Sequence, residues 1–282
     1  MLKTRVKTAC VFVPVCALIV LFSGAPYVLN IAVALLNIGA AWELFSVANA
    51  RGNYALLVPA LIAAAALPFL PLPYYPAGAL IVLLAALGFF FMDARALVRH
   101  EPASFGAVRA LGESLMASYF FCALIALRRM ENGLYDLMLM IVCCVASEVA
   151  GYFIGRAWGR HKLAPDLSPH KTIEGSVGGL AASCALALLG TAIYAGAMEL
   201  SVHYGRLMLY GVCGSVISQT GDLAMSAVKR IAGVKDFSNL LPGHGGLLDR
   251  FDGQLFAAPF TAAFLAFIGG IIALAPPLSP RP

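Results

Sequence analysis

The chain has 282 residues, of which 61% are hydrophobic and only 12% are charged, with a net charge of +5. Soluble domains carry about 25% charged residues. This deficit, with a mean hydropathy of +0.87, excludes a water-facing globule and makes the bilayer the chain's solvent.

A helix crossing the hydrocarbon core needs about 20 apolar residues. Nine stretches meet that length in chain order: 8–25, 27–46, 54–71, 76–93, 107–127, 134–155, 174–197, 204–228 and 252–275. The expected fold is therefore all-α, a polytopic integral membrane protein with about nine transmembrane helices. The opening "MLKTRVKTACVFVPVCALIVLFSGAP" has a basic start like a signal peptide. Its long apolar run, followed at once by another, reads as a retained first helix. "PLPYYP" at 71–76 reads as a short rigid turn. No linker is long enough to separate a second domain. The chain is expected to be one unit: N-terminal helices over 1–147, a functional region over 148–253, and a last helix and tail over 254–282.

With the N-terminus inside, 15 of the 19 Lys and Arg residues fall on the cytoplasmic side, as the positive-inside tendency asks. The loop with Arg128 and Arg129 is the discordant one. This orientation puts the two richest polar loops, 156–173 and 229–251, on one face, where they can build one site. The seven cysteines lie in apolar runs without a CxxC pair, so they read as packing residues. No basic patch interleaved with aromatics points to nucleic acid.

Charges inside a span cost about 2.5–3.5 kcal/mol at the helix centre. Glu43, Glu113, Glu148 and Asp222 risk that cost. Glu43 and Glu113 are expected near helix ends, reaching water. Asp222 differs, because Ser218, Asp222 and Ser226 recur every four residues and Lys229 continues the face. That is one polar stripe on an apolar helix. Asp249 and Asp252, spaced i and i+3, share a face at a helix start. With Asp222 they offer oxygen ligands to a hard cation such as Mg²⁺, which is content with few carboxylates plus water and phosphate. Lys229, Arg230, Lys235 and Arg250 supply cations for phosphate oxygens. "PGHGG" at 242–246 permits close backbone approach to a ligand. A metal and cations around a phosphate chain suit phosphoryl or nucleotidyl transfer.

"SAVKRIAGVKDFSNLLPGHGGLLDRFD" at 226–252 resembles the signature of the phosphatidate cytidylyltransferases, or CDP-diacylglycerol synthases. The fixed positions are Ser226, Lys229, Arg230, Lys235, Asp236, Pro242, Gly243, His244, Gly245, Gly246, Asp249, Arg250 and Asp252. The upstream "YFIGRAWGRHKLAPDLSPHKTIEG" is similar to a second family segment, so the resemblance covers 148–253. Two positions depart from it. Glu148 stands where the family usually has Asp, and Ile173 where Trp is common.

The resemblance implies transfer of CMP from CTP to phosphatidic acid, giving CDP-diacylglycerol and pyrophosphate. A CTP-dependent kinase of a lipid alcohol such as a polyprenol is the alternative. The implied catalytic set is Lys229, Arg230, Lys235, Asp236, His244 and Arg250. His244 has three open roles: donating to phosphate, moving a proton, or bracing the glycine loop. Arg156, Lys171, Thr172, Glu174, Ser226, Gly245 and Gly246 are implied in substrate binding, and Asp222, Asp249 and Asp252 in holding Mg²⁺, with room for a second cation. On this reading Asp249→Asn abolishes transfer and leaves the fold intact. The expected setting is the bacterial inner membrane with the site facing the cytoplasm, and a homodimer is compatible with it.

Overall fold

The computed structural model describes residues 2–71, 75–99 and 105–274. Each of the nine expected stretches contains a helix. The helices are α1 (Leu2–Leu21), α2 (Val28–Val47), α3 (Tyr54–Ala66), α4 (Tyr75–Val98), α5 (Ala107–Arg128), α6 (Gly133–Trp158), α7 (Ile173–Met198), α8 (Tyr204–Ile231) and α9 (Leu248–Ile268). Two short antiparallel pairs complete the order. Strands β1 (Lys162–Ala164) and β2 (Ser168–Thr172) form a hairpin between α6 and α7. Strand β3 (Leu200–Val202) pairs with β4 (Ile272–Leu274). Residues 72–74 of the expected turn at 71–76, and the tail beyond 274, lie outside the described residues.

Among the described residues, six helices are long and apolar enough to cross a membrane: α2, α4, α5, α6, α7 and α9. The expectation of nine is not met by length and composition, and each shortfall has a reason. Helix α3 has 13 residues, about 20 Å at 1.5 Å per residue, short of a core about 30 Å thick. A 3-10 turn at Leu67–Phe69 extends it slightly. The apolar part of α1 is only Cys10–Leu21. Helix α8 has 28 residues, but Arg206, Asp222, Lys229 and Arg230 make it too polar. It packs against α4, α6, α7 and α9. Protein, rather than lipid, can therefore meet its polar stripe.

Apolar packing alone gives little net drive between helices in lipid, so small residues and polar contacts supply specificity. On α6, Ser147, Gly151 and Gly155 recur every four residues and face α7, and Gly159 follows just past the helix end against Thr172. A Cβ on Gly175 of α7 would lie 2.6 Å from the Gly151 carbonyl oxygen, so the two backbones all but touch there. Buried polar links do the rest. Asn37 Nδ2 of α2 donates to Ala64 O at 3.3 Å and Ser118 O at 3.4 Å. Tyr135 and Thr191 bond at 2.8 Å across α6 and α7, and Tyr210 and Thr261 at 2.9 Å across α8 and α9. Gln219 of α8 donates to Ser147 Oγ at 3.0 Å and Ser215 Oγ at 3.1 Å, and accepts from Ser176 Oγ. These bonds lock α6, α7 and α8 one turn before Asp222.

Candidate active site

The two polar loops meet at one end of the bundle. Lys171 Nζ, from β2, lies 2.5 Å from Asp222 Oδ2 on α8. Arg230 Nε, at the end of α8, donates to Leu167 O in the hairpin at 3.2 Å, and its Nη1 donates to Val234 O at 3.2 Å. Arg230 thus ties the hairpin to the loop after α8.

The hairpin holds its own shape with residues expected to bind substrate. Thr172 caps α7, accepting from Gly175 N at 3.1 Å, and so satisfies one of the orphan donors of the helix start. Glu174 accepts from Arg160 N at 3.1 Å and His161 N at 3.2 Å, and its Oε1 lies 2.6 Å from His161 Nδ1. Arg156 is exposed and donates to Tyr152 OH at 3.1 Å on its own helix.

The loop from α8 to α9 is held by two carboxylates. Asp249 Oδ1 accepts from Lys229 Nζ at 2.7 Å, while Oδ2 accepts from Phe237 N at 2.8 Å and Gly246 N at 2.9 Å. The pair is nearly dry, with Lys229 10% and Asp249 2% exposed at the side chain. The Lys229 ammonium also sits 5.3 Å from the centre of the Phe237 ring, in range of its π face. The second carboxylate is Glu43 of α2, only 1% exposed. It accepts from Ser238 Oγ at 2.6 Å, Leu247 N at 2.7 Å and Leu248 N at 2.9 Å. An anion at a helix N-terminus meets both the orphan N–H groups and the positive dipole end. Glu43 was expected to reach water, and instead it is buried as the cap of α9.

The glycines of "PGHGG" follow from these acids. Gly245 has φ +83, and a Cβ there would lie 2.9 Å from Asp249 Oδ2. A Cβ on Gly246 would lie 2.6 Å from Glu43 Oε1. The close approach read from the sequence is therefore made to the chain's own carboxylates.

A second set of acids makes fewer bonds within the chain: Asp222 meets Lys171, and Asp252 accepts from Gly253 N at 2.8 Å. Asp252, at the start of α9, interacts electrostatically with Asp222, Lys229 and Glu148. Glu148 of α6 interacts with Asp222, Arg250 and Lys171. Three acids from three helices thus gather among Lys171, Lys229 and Arg250. In the same signature segment, His244 Nδ1 and Arg250 Nε are buried without a hydrogen-bond partner among the described residues. Buried polar groups left unmet cost about 1–3 kcal/mol each. Lys235 and Asp236 are exposed at the rim, and Ser226 is buried on α8.

Among the described residues, no three His, Cys, Asp or Glu side chains form a ready cage for a metal ion. Of the three expected metal ligands, Asp249 has both oxygens bonded within the chain. Asp222 and Asp252 remain beside Glu148. Few carboxylates with open positions are the donor set Mg²⁺ tolerates, since it draws ligands from water and substrate phosphate.

Glu43 stood out in the sequence but not as the cap of α9, and Gln219 did not stand out as the link between α6, α7 and α8. A carboxylate inside "NIGAAWELFSV" was a signal, but its partner Leu248 is 205 positions away.

The fold and site define a helical membrane protein with acids and cations gathered at one end of its bundle. The model of the cytidylyltransferase family matches residues 3–268, and the chain belongs to that family. It is 42% identical over 135 residues to a phosphatidate cytidylyltransferase of Bacillus subtilis (strain 168), covering 47% of this chain and 49% of that one. It is 39% identical over 137 residues to a phosphatidate cytidylyltransferase of Haemophilus influenzae, covering 49% and 48%. With a protein of the same name in Brucella suis biovar 1 it shares 43% over 141 residues, covering 50% and 49%. The matches thus span about half the length of each of these relatives.

Proposed function

We propose that the chain transfers CMP from CTP to phosphatidic acid, giving CDP-diacylglycerol and pyrophosphate. One observation carries the reading at the site. Lys171 of the hairpin meets Asp222 of α8 at 2.5 Å, and Glu148 interacts with both of them and with Arg250. Family membership and the names of the relatives support the same chemistry.

The reaction joins two anions, so their repulsion is the main obstacle. A lipid phosphate oxygen attacks the α-phosphorus of CTP in line. The bond from that phosphorus to the β-phosphate bridge breaks, and pyrophosphate leaves with the electron pair. Lys171 and Arg250 offset charge on the phosphates, as preorganised cations do in phosphoryl transfer. His244 Nδ1 and Arg250 Nε are available to phosphate oxygens. Lys229 acts at one remove, holding Asp249 and through it the loop. Asp222 and Asp252 would hold Mg²⁺, which supplies Lewis-acid charge neutralisation at the phosphates when bound. No covalent intermediate on the chain is required. The head group enters from the cytoplasmic leaflet, and the acyl chains remain among the helices.

The purified chain with CTP, Mg²⁺ and phosphatidic acid should release pyrophosphate in step with CDP-diacylglycerol. Release of CDP with a phosphorylated lipid alcohol would instead make it a kinase. Asp222→Asn and Asp252→Asn should each lower kcat about 100-fold or more, the scale of losing an electrostatic contributor at a phosphoryl centre. Turnover within about threefold of wild type, in proteins that melt normally, would remove both acids from the metal site.

Orientation is a second expected result. In a cysteine-free background, Pro165→Cys and Leu240→Cys should react with an impermeant thiol reagent from the cytoplasmic face only. Both positions are exposed. Labelling from opposite faces, or from outside, would break the proposed topology.

A further inference from the structure

A cavity of about 340 Å³ is lined by Ser46 and Val47 at the end of α2, by Asn49 just after it, and by Ala232, Val234 and 236–239. No residue of the expected site except Asp236 lines it. We propose that this cavity receives the nucleoside end of the nucleotide substrate, its pyrimidine base and ribose. This deepens the reading of CTP as substrate and rests on it.

Three features support the assignment. The first is size. A pyrimidine nucleoside fills on the order of 200 Å³, well inside the range of small-molecule sites, so it fits without a triphosphate. The second is chemistry. Asn49, Asp236 and Asn239 line the cavity; all three are exposed, and among the described residues their side chains make no hydrogen bond or ion pair. Two amides and a carboxylate offer donors and acceptors in the mixture that a cytosine edge and ribose hydroxyls demand. The lining holds no Lys or Arg and does hold an acid, so it disfavours phosphates.

The third feature is position. Phe237 lines the cavity. Its backbone N–H donates to Asp249 at 2.8 Å, and its ring lies under the Lys229 ammonium at 5.3 Å. One residue therefore separates a polar cavity without Lys or Arg from the Lys229–Asp249 pair. A nucleoside triphosphate is divided in a comparable way, neutral and polar at one end and anionic at the other. Ser238 also lines the cavity and donates to Glu43 at 2.6 Å, so the wall is rigidly backed.

The test is equilibrium binding of radiolabelled CTP to the full chain in detergent, independent of turnover. Two variants are compared with wild type. Asn239→Leu removes an amide at an exposed position. Asn49→Gly removes the other and suits the positive φ of 52 there. Each is expected to weaken CTP binding about tenfold, the scale of a lost polar contact. Each should also narrow the preference for CTP over UTP, while the KM for phosphatidic acid stays within about twofold. Thermal melts check that both variants fold, and either folded variant suffices. If wild type binds CTP and the folded variants bind it equally well with unchanged CTP-over-UTP preference, the cavity assignment falls and the CTP reading stands. If wild type does not bind CTP, both fall together.

Discussion

Asp249→Asn is expected to destabilise the chain by about 3–5 kcal/mol, the cost of breaking a buried ion pair by removing one partner. The reason is geometric. The carboxylate meets an ammonium with one oxygen and two backbone N–H groups with the other. An asparagine has one acceptor oxygen, so its NH₂ must face donors on one side. Either Lys229 or the loop backbone is then left unmet in a site where Asp249 is 2% exposed. Unfolding in detergent should show the loss, and activity should fall with it. The double variant Lys229→Met with Asp249→Leu should recover stability over Asp249→Asn while remaining inactive, because the buried charge is gone and the loop is still unpinned. An Asp249→Asn protein with a wild-type melt would return this residue to a purely ligand-holding role. The resemblance alone led to the opposite expectation, lost activity with an intact fold.

Glu43→Ala should have the second-largest effect. It leaves Leu247 N, Leu248 N and Ser238 Oγ without their acceptor. Hydrogen bonds to a charged group contribute about 1.5–3 kcal/mol each, and three on one carboxylate do not add fully. A net loss of about 3 kcal/mol is expected from these terms. Hydrogen exchange should accelerate over 237–248, and transfer should fall even though Glu43 touches neither proposed substrate. Glu43→Gln should be intermediate, since one of its two terminal atoms becomes a donor facing donors. Unchanged exchange in that segment with Glu43→Ala would show that α9 and its loop stand without this cap.

The legibility of the site divides along the same lines. Asp222 was found from its stripe with Ser218 and Ser226, and the structure places it against Lys171. Joining 156–173 to 229–251 was legible from charge asymmetry between loops, and Arg230 bonding to Leu167 O shows those segments in contact. Thr172 and Glu174 were legible as important but not as the frame of a hairpin. Their partners, Gly175 N, Arg160 N and His161 N, follow from a turn geometry that no spacing announces. Of about nine expected spans, six are long and apolar enough to cross a membrane among the described residues. Apolar length alone cannot separate the short α3 from a full span, or mark α8 as a helix surrounded by protein.

The sequence by itself determined where the helices lie, that several of them are long and apolar enough to cross a membrane, and which segments carry the dense polar loops. Those are local properties: hydropathy is summed along a window, and a motif is read within a few turns. Only the tertiary structure decided what each acid does. A carboxylate is defined by the donors that reach it, and in this chain those donors come from distant segments. Asp249 and Asp252 stand three positions apart, yet one is consumed by Lys229 and two backbone N–H groups. The other stays with Asp222 and Glu148. Glu43, from the second helix, holds the start of the ninth, a pairing that exists only once the bundle has closed.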